Sequence, residues 1–585
     1  MQAQTIQART PAYTQLPKDG PLASLHPVIQ RVLANRNIDL HTGLEHGLKY
    51  LLAPDSLKGI NTAAARIALA VEQQQSVLIV GDYDADGATS TALAIKGLRS
   101  MGLKRVAYTV PNRFTYGYGL SLKLAEDISG SLPDLIITVD NGISSIEGIA
   151  FLNSAGVDVI VTDHHLAGEG LPAAFAIVNP NQPGCEFPDK SIAGVGVMFY
   201  VLLAVNSVLR KSAYYDGHGL NPDILSLLDL VALGTVADVV GLGRNNRILV
   251  SQGIARMRAG RLCPGIASIL KVGGRERQSL VAQDLGFVVG PRLNAAGRLE
   301  DISSGIECLL ADNSLEADRL AETLDEINRT RKEIELSMQT QALKVVKSLM
   351  LEQGNWNTGM VLFDAAWHEG VVGLVASRIK EKTGLPVLVF APDDTGEFLK
   401  GSARSITEVH IRDVLANINA QYPQLIERFG GHAMAAGLSI RPECLEEFRL
   451  AFIAEVDRAL LECPPDNTLL TDGELAAAEL NKTFAETMKT LLPWGQACPE
   501  PVFDGEFEVL NSRFVGEIHL KLVLRLSGAR DPIDAICFRY LDSADSPQRR
   551  EALQWKKIRA VYSLDVNQFR GKKSLQLIIR YLESK

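Results

Sequence analysis

Ser76-Val-Leu-Ile-Val-Gly-Asp82-Tyr-Asp84-Ala-Asp86-Gly87 sets three aspartates within five residues, directly after an apolar run. The run reads as a buried strand ending near Gly81. Carboxylates this close repel one another unless a cation lies between them, and hard ions such as Mg²⁺ or Mn²⁺ take oxygen ligands. The arrangement recurs twice. Asp134-Leu-Ile-Ile-Thr-Val-Asp140-Asn-Gly142 and Val157-Asp-Val-Ile-Val-Thr-Asp163-His164-His165 each place an acid after an apolar run. Acids and a histidine pair delivered by three strand ends point to a two-ion site for phosphoryl chemistry.

Around these runs the chain alternates. Strands are expected at Val77–Val80, Val106–Val110, Leu135–Val139, Val157–Thr162 and Ala176–Val178, and helices at Thr62–Gln74, Thr89–Met101, Ser121–Ile128 and Ile146–Ser154. Alternating β and α units imply a parallel sheet with helices on both faces, whose ligands sit beyond the carboxyl ends of the strands. Residues 194–270 read as helical, including Leu225–Val240. Ser314–Met350 lacks Gly and Pro and reads as one long helix. A second α/β unit follows, with strands at Met360–Phe363 and Val387–Phe390 and a helix at Val371–Lys382. Five β-type runs close the chain: Pro501–Leu510, His519–Leu526, Ile533–Phe538, Ile558–Leu564 and Ser574–Tyr581. They fit a small barrel of the OB type. The expected organisation is α/β: an N-terminal arm over 1–45, a parallel-sheet catalytic domain over 46–270, a helical connector over 271–350, an accessory α/β domain over 351–465 and a barrel over 466–585.

The chain has 585 residues, 46% hydrophobic and 22% charged, enough for about three or four globular domains. It contains no run of 18 apolar residues, and its first residues lack the basic-then-apolar pattern of a secretory leader. The expectation is therefore a cytoplasmic protein with no membrane partner. Seven cysteines without a C-x-x-C pair fit a reducing compartment. Net charge is −9, but residues 501–585 carry +4, leaving −13 on the rest. A basic terminal module on an acidic body is compatible with nucleic acid.

Each constellation has a plainer reading. Asp82, Asp84 and Asp86, alternating along an extended segment, are metal ligands or else turn and cap residues. Asp86 is the one best suited to capping or support, and Gly87 to a tight turn. Asp140-Asn-Gly142 is a turn or a second ligand site. Asp163-His164-His165 is harder to explain as packing, and which histidine is the ligand stays open. Asp238 in Gly234-Thr-Val-Ala-Asp238 is a ligand or a helix-end cap, with Asp229 as its competitor on the same stretch. Arg292, Asn294 and Arg298 in Gly290-Pro-Arg-Leu-Asn-Ala-Ala-Gly-Arg298, Ser402 and Arg404, and Gly430-Gly431-His432 combine forks and small residues that suit phosphate. In the terminal barrel, basic residues interleave with aromatics (Arg513, Phe514, Lys521, Arg525, Arg539, Tyr540, Lys556, Lys557, Arg559, Tyr562, Phe569, Arg570, Lys572, Lys573). That mixture suits a single strand, though a solvated β surface has the same composition.

Together these motifs resemble the DHH phosphoesterase superfamily, and within it the bacterial single-stranded-DNA-specific exonucleases. Gly81-Asp82-Tyr-Asp84-Ala-Asp86-Gly87, Val139-Asp140-Asn-Gly142, Asp163-His164-His165 and Gly234-Thr-Val-Ala-Asp238 match its four motifs, and Gly430-Gly431-His432 with Ala435-Ala436-Gly437 matches the signature of its DHHA1-type accessory domain. The resemblance runs from about residue 50 to 585. It implies stepwise 5′→3′ removal of mononucleotides from single-stranded DNA in recombination and repair, with two Mn²⁺ or Mg²⁺ ions on Asp82, Asp84, Asp140, Asp163, His164 and Asp238. Asp86 and His165 complete the catalytic set. Arg113, Arg292, Asn294, Arg298, Ser402, Arg404, Gly431 and His432 would hold substrate. A single-strand-binding protein and a helicase are the implied partners, and a monomer the implied state. The rivals are a superfamily enzyme acting on short oligonucleotides or cyclic dinucleotides, and a non-catalytic DNA-binding scaffold.

Overall fold

The computed structural model describes residues 5–11, 25–39, 43–112, 116–168, 170–353, 358–541, 548–569 and 572–585. Its contacts fall into two units. The first comprises Met1–Gly297, Ile302–Glu322 and Thr468–Lys585; the second comprises Arg298–Asp301 and Thr323–Asn467.

In the first unit, β1 (Thr5–Ala8) lies apart from the main sheet. The sheet itself contains β2 (Val77–Val80), β3 (Val106–Thr109), β4 (Leu135–Val139), β5 (Asp158–Thr162) and β6 (Ala176–Val178), all parallel, in the order β3-β2-β4-β5-β6. The chain reverses its direction of winding between β2 and β4. Side chains leaving the carboxyl ends of those two strands therefore face a crevice not closed by a crossover. Residues Asp82 and Asp140 leave there.

The helix after β2 spans Ala85–Ser100, four residues earlier than the sequence suggests. Asp84 is its N-cap, accepting from the amides of Asp86 and Gly87 at 2.9 and 3.1 Å. The three aspartates thus do not alternate along an extended segment, because the helix starts between the second and third. Gly87 is not a turn residue either; it sits in the first helical turn. A Cβ there would stand 2.4 Å from the Asp82 carbonyl oxygen, a backbone atom that cannot step aside. Gly87→Ala is therefore expected to cost about 1–3 kcal/mol, read as a lower urea midpoint.

This helix is buried on nearly every face and packs against Gly194–Lys211 and Leu228–Ala237. Gly194–Lys211 is long and apolar enough to cross a membrane, a span not picked out from sequence, but it is a core helix whose first nine residues are all buried. The segment expected as one helix over Leu225–Val240 divides into a 3₁₀ turn, Ile224–Leu227, and the helix Leu228–Ala237.

The second unit holds a mixed sheet of β7 (Met360–Phe363), β8 (Val387–Pro392), β9 (Leu399–Arg404), β10 (Arg428–Gly431) and β11 (Ala435–Ile440), in the order β10-β11-β9-β8-β7. Only β7 and β8 run parallel. The expected long helix is present as Ser314–Gln353, about 60 Å at 1.5 Å per residue, and it begins in the first unit and continues into the second.

Back in the first unit, β12 (Thr468–Thr471) pairs in parallel with β1. β13 (Phe503–Val515), β14 (His519–Leu526), β15 (Ile533–Cys537), β16 (Lys557–Phe569) and β17 (Lys572–Ser584) close a barrel in the order β13-β14-β15-β17-β16. That is the five-stranded Greek-key pairing of an OB-fold. Tyr562, a sequence candidate for strand contact, is instead core, buried against Phe503 and Phe507. Arg525 and Arg559 are engaged by Glu508 and Asp504. Arg570 lies outside the described residues.

Within the segment expected as an N-terminal arm, the described residues 25–39 are tied down. Helix Pro27–Ala34 ends beside Arg36, whose guanidinium grips the Asp472 carboxylate at 2.8 and 2.9 Å with both side chains buried.

Candidate metal centre

Asp82 follows β2, Asp140 follows β4, and Asp163-His164-His165 follows β5. Asp238 ends the helix Leu228–Ala237. The fold brings these groups, spread over 157 positions, to one place at the carboxyl edge of the sheet. Among the described residues, three clusters have one ligand atom per residue within 4.8 Å of the others: Asp82, Asp84 and Asp140; Asp86, His164 and Asp238; and Asp140, His164 and His165.

Asp140 adopts a left-handed backbone, φ 62°, a conformation aspartate tolerates better than most residues. The turn is locked by Asn141, whose amide donates to the carbonyls of Val80 and Val139 at 3.0 and 2.9 Å and so ties the ends of β2 and β4 together. Gly194 leaves room for the Asp140 carboxylate, since a Cβ there would lie 2.6 Å from Oδ1. Neither Asn141 nor Gly194 stands out in the sequence as a site residue, because each acts through a neighbour distant in the chain.

Asp86 accepts from the amides of Gly194 and Val195 at 2.7 and 3.0 Å. It caps a second helix from a distance. Asp163 is saturated: Oδ1 accepts from the amides of His164 and His165 and from His165 Nδ1 at 2.7, 3.1 and 2.8 Å, and Oδ2 accepts from Ile143 N at 2.9 Å. It joins none of the three clusters. The histidines do not splay to opposite sides as an extended segment would require. The strand ends at Thr162, the chain bends, and the two rings lie 4.4 Å apart. His164 Nε2 faces Asp140 Oδ1 and Asp238 Oδ2 at 3.1 and 3.5 Å, while His165 turns to Asp163. Asp229, the competitor of Asp238, is spent on the amides of Leu230 and Cys263.

The electrostatics are those of a site short of positive charge. Burial, then the neighbouring carboxylates, push Asp82, Asp86 and Asp140 well above the usual carboxylate range. Burial and Asp84 raise Asp238 to about 7. Asp163 is the exception: burial opposes its charge, but the His165 hydrogen bond and charge outweigh it and hold the carboxyl low. His165 shows the converse, raised to about 9 by Asp163 against the effect of burial. Asp140 Oδ1 and Asp238 Oδ2 are buried and accept no hydrogen bond among the described residues. Buried anionic oxygens without donors, converging with an imidazole nitrogen, fit hard divalent cations.

Asn294 also reaches this edge, its Oδ1 accepting from Ala85 N at 2.7 Å and steadying the turn that holds Asp84. Arg292 is buried, with Nη1 donating at 2.7 Å to Val288 O in the π-helical turn that precedes its helix. Arg113 lies outside the described residues. In the second unit, Arg404 Nη1 donates to Ser402 Oγ at 2.9 Å, and Gly431, φ 147°, starts the turn holding His432. Ser402 and Arg404 on β9 pair with Gly437 and Ala435 of β11, and Gly431 on β10 pairs with Ala436 of β11, so these residues share one end of that sheet. Arg298, in the same unit, donates to Gly370 O.

Residues 76–235 match the DHH family, N-terminal domain; 357–457 the DHHA1 domain; and 471–581 the RecJ OB domain. The chain is 46% identical over 583 residues to the single-stranded-DNA-specific exonuclease RecJ of Dickeya dadantii, covering 99% of this chain and 98% of that one. It is 46% identical over 558 residues to the protein of that name from Escherichia coli K12, covering 95% and 96%. The crystal structure of RecJ in complex with Mn²⁺ from Thermus thermophilus matches with a TM-score of 0.77 at 28% identity, covering 96% of this chain and 77% of that one. The three domains in one order and the near-full-length identity place the chain in the RecJ family of the DHH superfamily.

Proposed function

We propose that this chain is a metal-dependent exonuclease that hydrolyses single-stranded DNA from the 5′ end to mononucleotides. The observation that carries the reading is the convergence of buried carboxylate oxygens of Asp140 and Asp238 on His164 Nε2 at the switch point of the sheet.

Asp82, Asp84, Asp140, His164 and Asp238 would hold two Mn²⁺ or Mg²⁺ ions. Bound there, the ions would supply Lewis-acid chemistry at the phosphodiester. Asp163, with four hydrogen bonds to its carboxylate, orients the histidine pair. His165, charged near neutrality in the metal-free protein, faces the scissile phosphate. Asp86 fixes the helix that packs on Asp140. Ser402, Arg404, Gly431 and His432, with Arg298, offer phosphate-binding groups in the second unit, and the barrel holds the strand further along. Within the cell we assign the protein to the cytoplasm as a monomer, working with a helicase and a single-strand-binding protein; its seven unpaired thiols support a reducing compartment.

A single-stranded DNA labelled at one end tests this. With Mn²⁺ the 5′ label leaves first, as a mononucleotide, while a 3′-labelled strand shortens in steps. Binding without cleavage would favour a scaffold, and indifference to DNA a short-substrate phosphodiesterase. Mn²⁺ alone is expected to stabilise the protein by roughly 2.7 kcal/mol at a hundredfold excess over its Kd, visible as a raised melting temperature.

A further inference from the structure

The loop ahead of helix Leu122–Ile128 brings to the metal cluster a tyrosine that the metal chemistry does not require. Gly117 and Gly119 both take left-handed backbone, φ 76° and 69°, and bracket Tyr118. The loop is thus shaped by two residues free of Cβ to turn one side chain inward. The Tyr118 hydroxyl donates to the Asp140 carbonyl oxygen at 3.2 Å and lies 3.1 Å from His165 Nδ1. Its ring meets His165 edge-on, centroids 5.7 Å apart at 78°, and Tyr83 edge-on, 6.2 Å at 82°. The residue nevertheless stays 40% exposed. Tyrosine joins a stacking face to a hydroxyl that a hydrogen bond can fix in place. Here the hydroxyl end is tied to the catalytic edge and aromatic surface is left open beside the carboxylates.

Resting on the exonuclease reading, we propose that Tyr118 is a substrate-contacting residue, its ring stacking on the base of the terminal nucleotide while its hydroxyl holds that ring over the cluster. Tyr83, the residue between Asp82 and Asp84, packs its ring against Tyr118 and stiffens the platform. Stacking accepts any base, as a nuclease without sequence preference needs. It also links the position of the base to that of the scissile phosphate, because the same hydroxyl lies beside His165.

The test compares two single strands, one ordinary and one with a 5′-terminal nucleotide lacking its base, under Mn²⁺. Wild-type protein is expected to show a kcat/KM about tenfold lower on the abasic end, carried mainly by KM. Tyr118→Phe keeps the ring and keeps this discrimination. Tyr118→Leu loses it, treating the two strands alike while binding Mn²⁺ as the wild type does. A Leu variant that still discriminates, or that is inactive on both strands, overturns the proposal and leaves Tyr118 as a structural brace. Wild-type protein that cleaves neither strand refutes the exonuclease reading itself, a result distinct from either.

Discussion

Asp140→Asn is expected to abolish nuclease activity while leaving the metal-free protein more stable than the wild type. Asparagine matches the shape of aspartate but carries no charge. In the folded, metal-free protein the Asp140 carboxyl is pushed well above its usual range, by burial first and then by Asp86, Asp84, Asp238 and Asp82. A raised folded pKa means that protonation favours the fold at low pH and that this contribution is lost as pH rises through the folded value. Metal-free wild type should therefore lose stability as pH rises above the ordinary carboxylate range, and Asp238, raised to about 7, adds to the decline. The Asn variant should show a shallower decline, measured as urea midpoints across that window. Mn²⁺ reverses the ranking. It stabilises the wild type and scarcely affects the variant, which has lost one of the oxygens that converge on His164. Activity should fall by more than ~100-fold, the upper range for groups that only orient a ligand. Equal Mn²⁺ stabilisation of both proteins would show that Asp140 is not a ligand.

The second large effect lies far from the chemistry. Arg36→Ala should destabilise the first unit by about 3–5 kcal/mol, the cost of leaving one partner of a buried ion pair uncompensated. The Arg36 and Asp472 side chains are 1% and 0% exposed. Arg36 Nε also donates to Pro499 O at 2.6 Å, and its guanidinium lies 5.3 Å from the Trp494 ring centre. Asp472 accepts in addition from Asn35 and from Val502 N. One guanidinium thus fastens the N-terminal helix to the segment leading into the barrel. A loss of about 3–5 kcal/mol is large against typical stabilities of about 5–15 kcal/mol. Burial alone would raise Asp472, but Arg36 holds it below its usual range. A depressed folded pKa gives stability that is present above the unfolded value and lost as pH falls through the folded one. The gap between variant and wild type should narrow below the usual carboxylate range. Trp494 fluorescence during urea unfolding reads it, and an unchanged midpoint at pH 7 would dismiss the clamp.

Periodicity alone marks out most of the secondary structure. The runs Val77–Val80 and Leu135–Val139 are strands because only continuous apolar stretches survive burial on both faces of a parallel sheet. Ser314–Gln353 is a helix because nothing within it interrupts one. The acids at the strand ends and the histidine pair could also be read directly, because hard-cation chemistry needs those residue types and a parallel sheet presents strand ends together. The division of labour among them could not. Asp84 caps its own helix, Asp86 caps another that begins 108 residues later, and Asp163 is consumed by four hydrogen bonds. Gly87 has the look of a turn glycine and is instead a contact with the Asp82 carbonyl. Residue identity and local pattern determined which groups the protein has and the strands and helices that carry them. Which oxygen keeps an open lone pair, which is spent on an amide, and how an apparently loose N-terminal segment is locked by Arg36 depended on partners tens to hundreds of residues away. Hydrogen bonds and burial of that kind exist only once the chain has closed on itself.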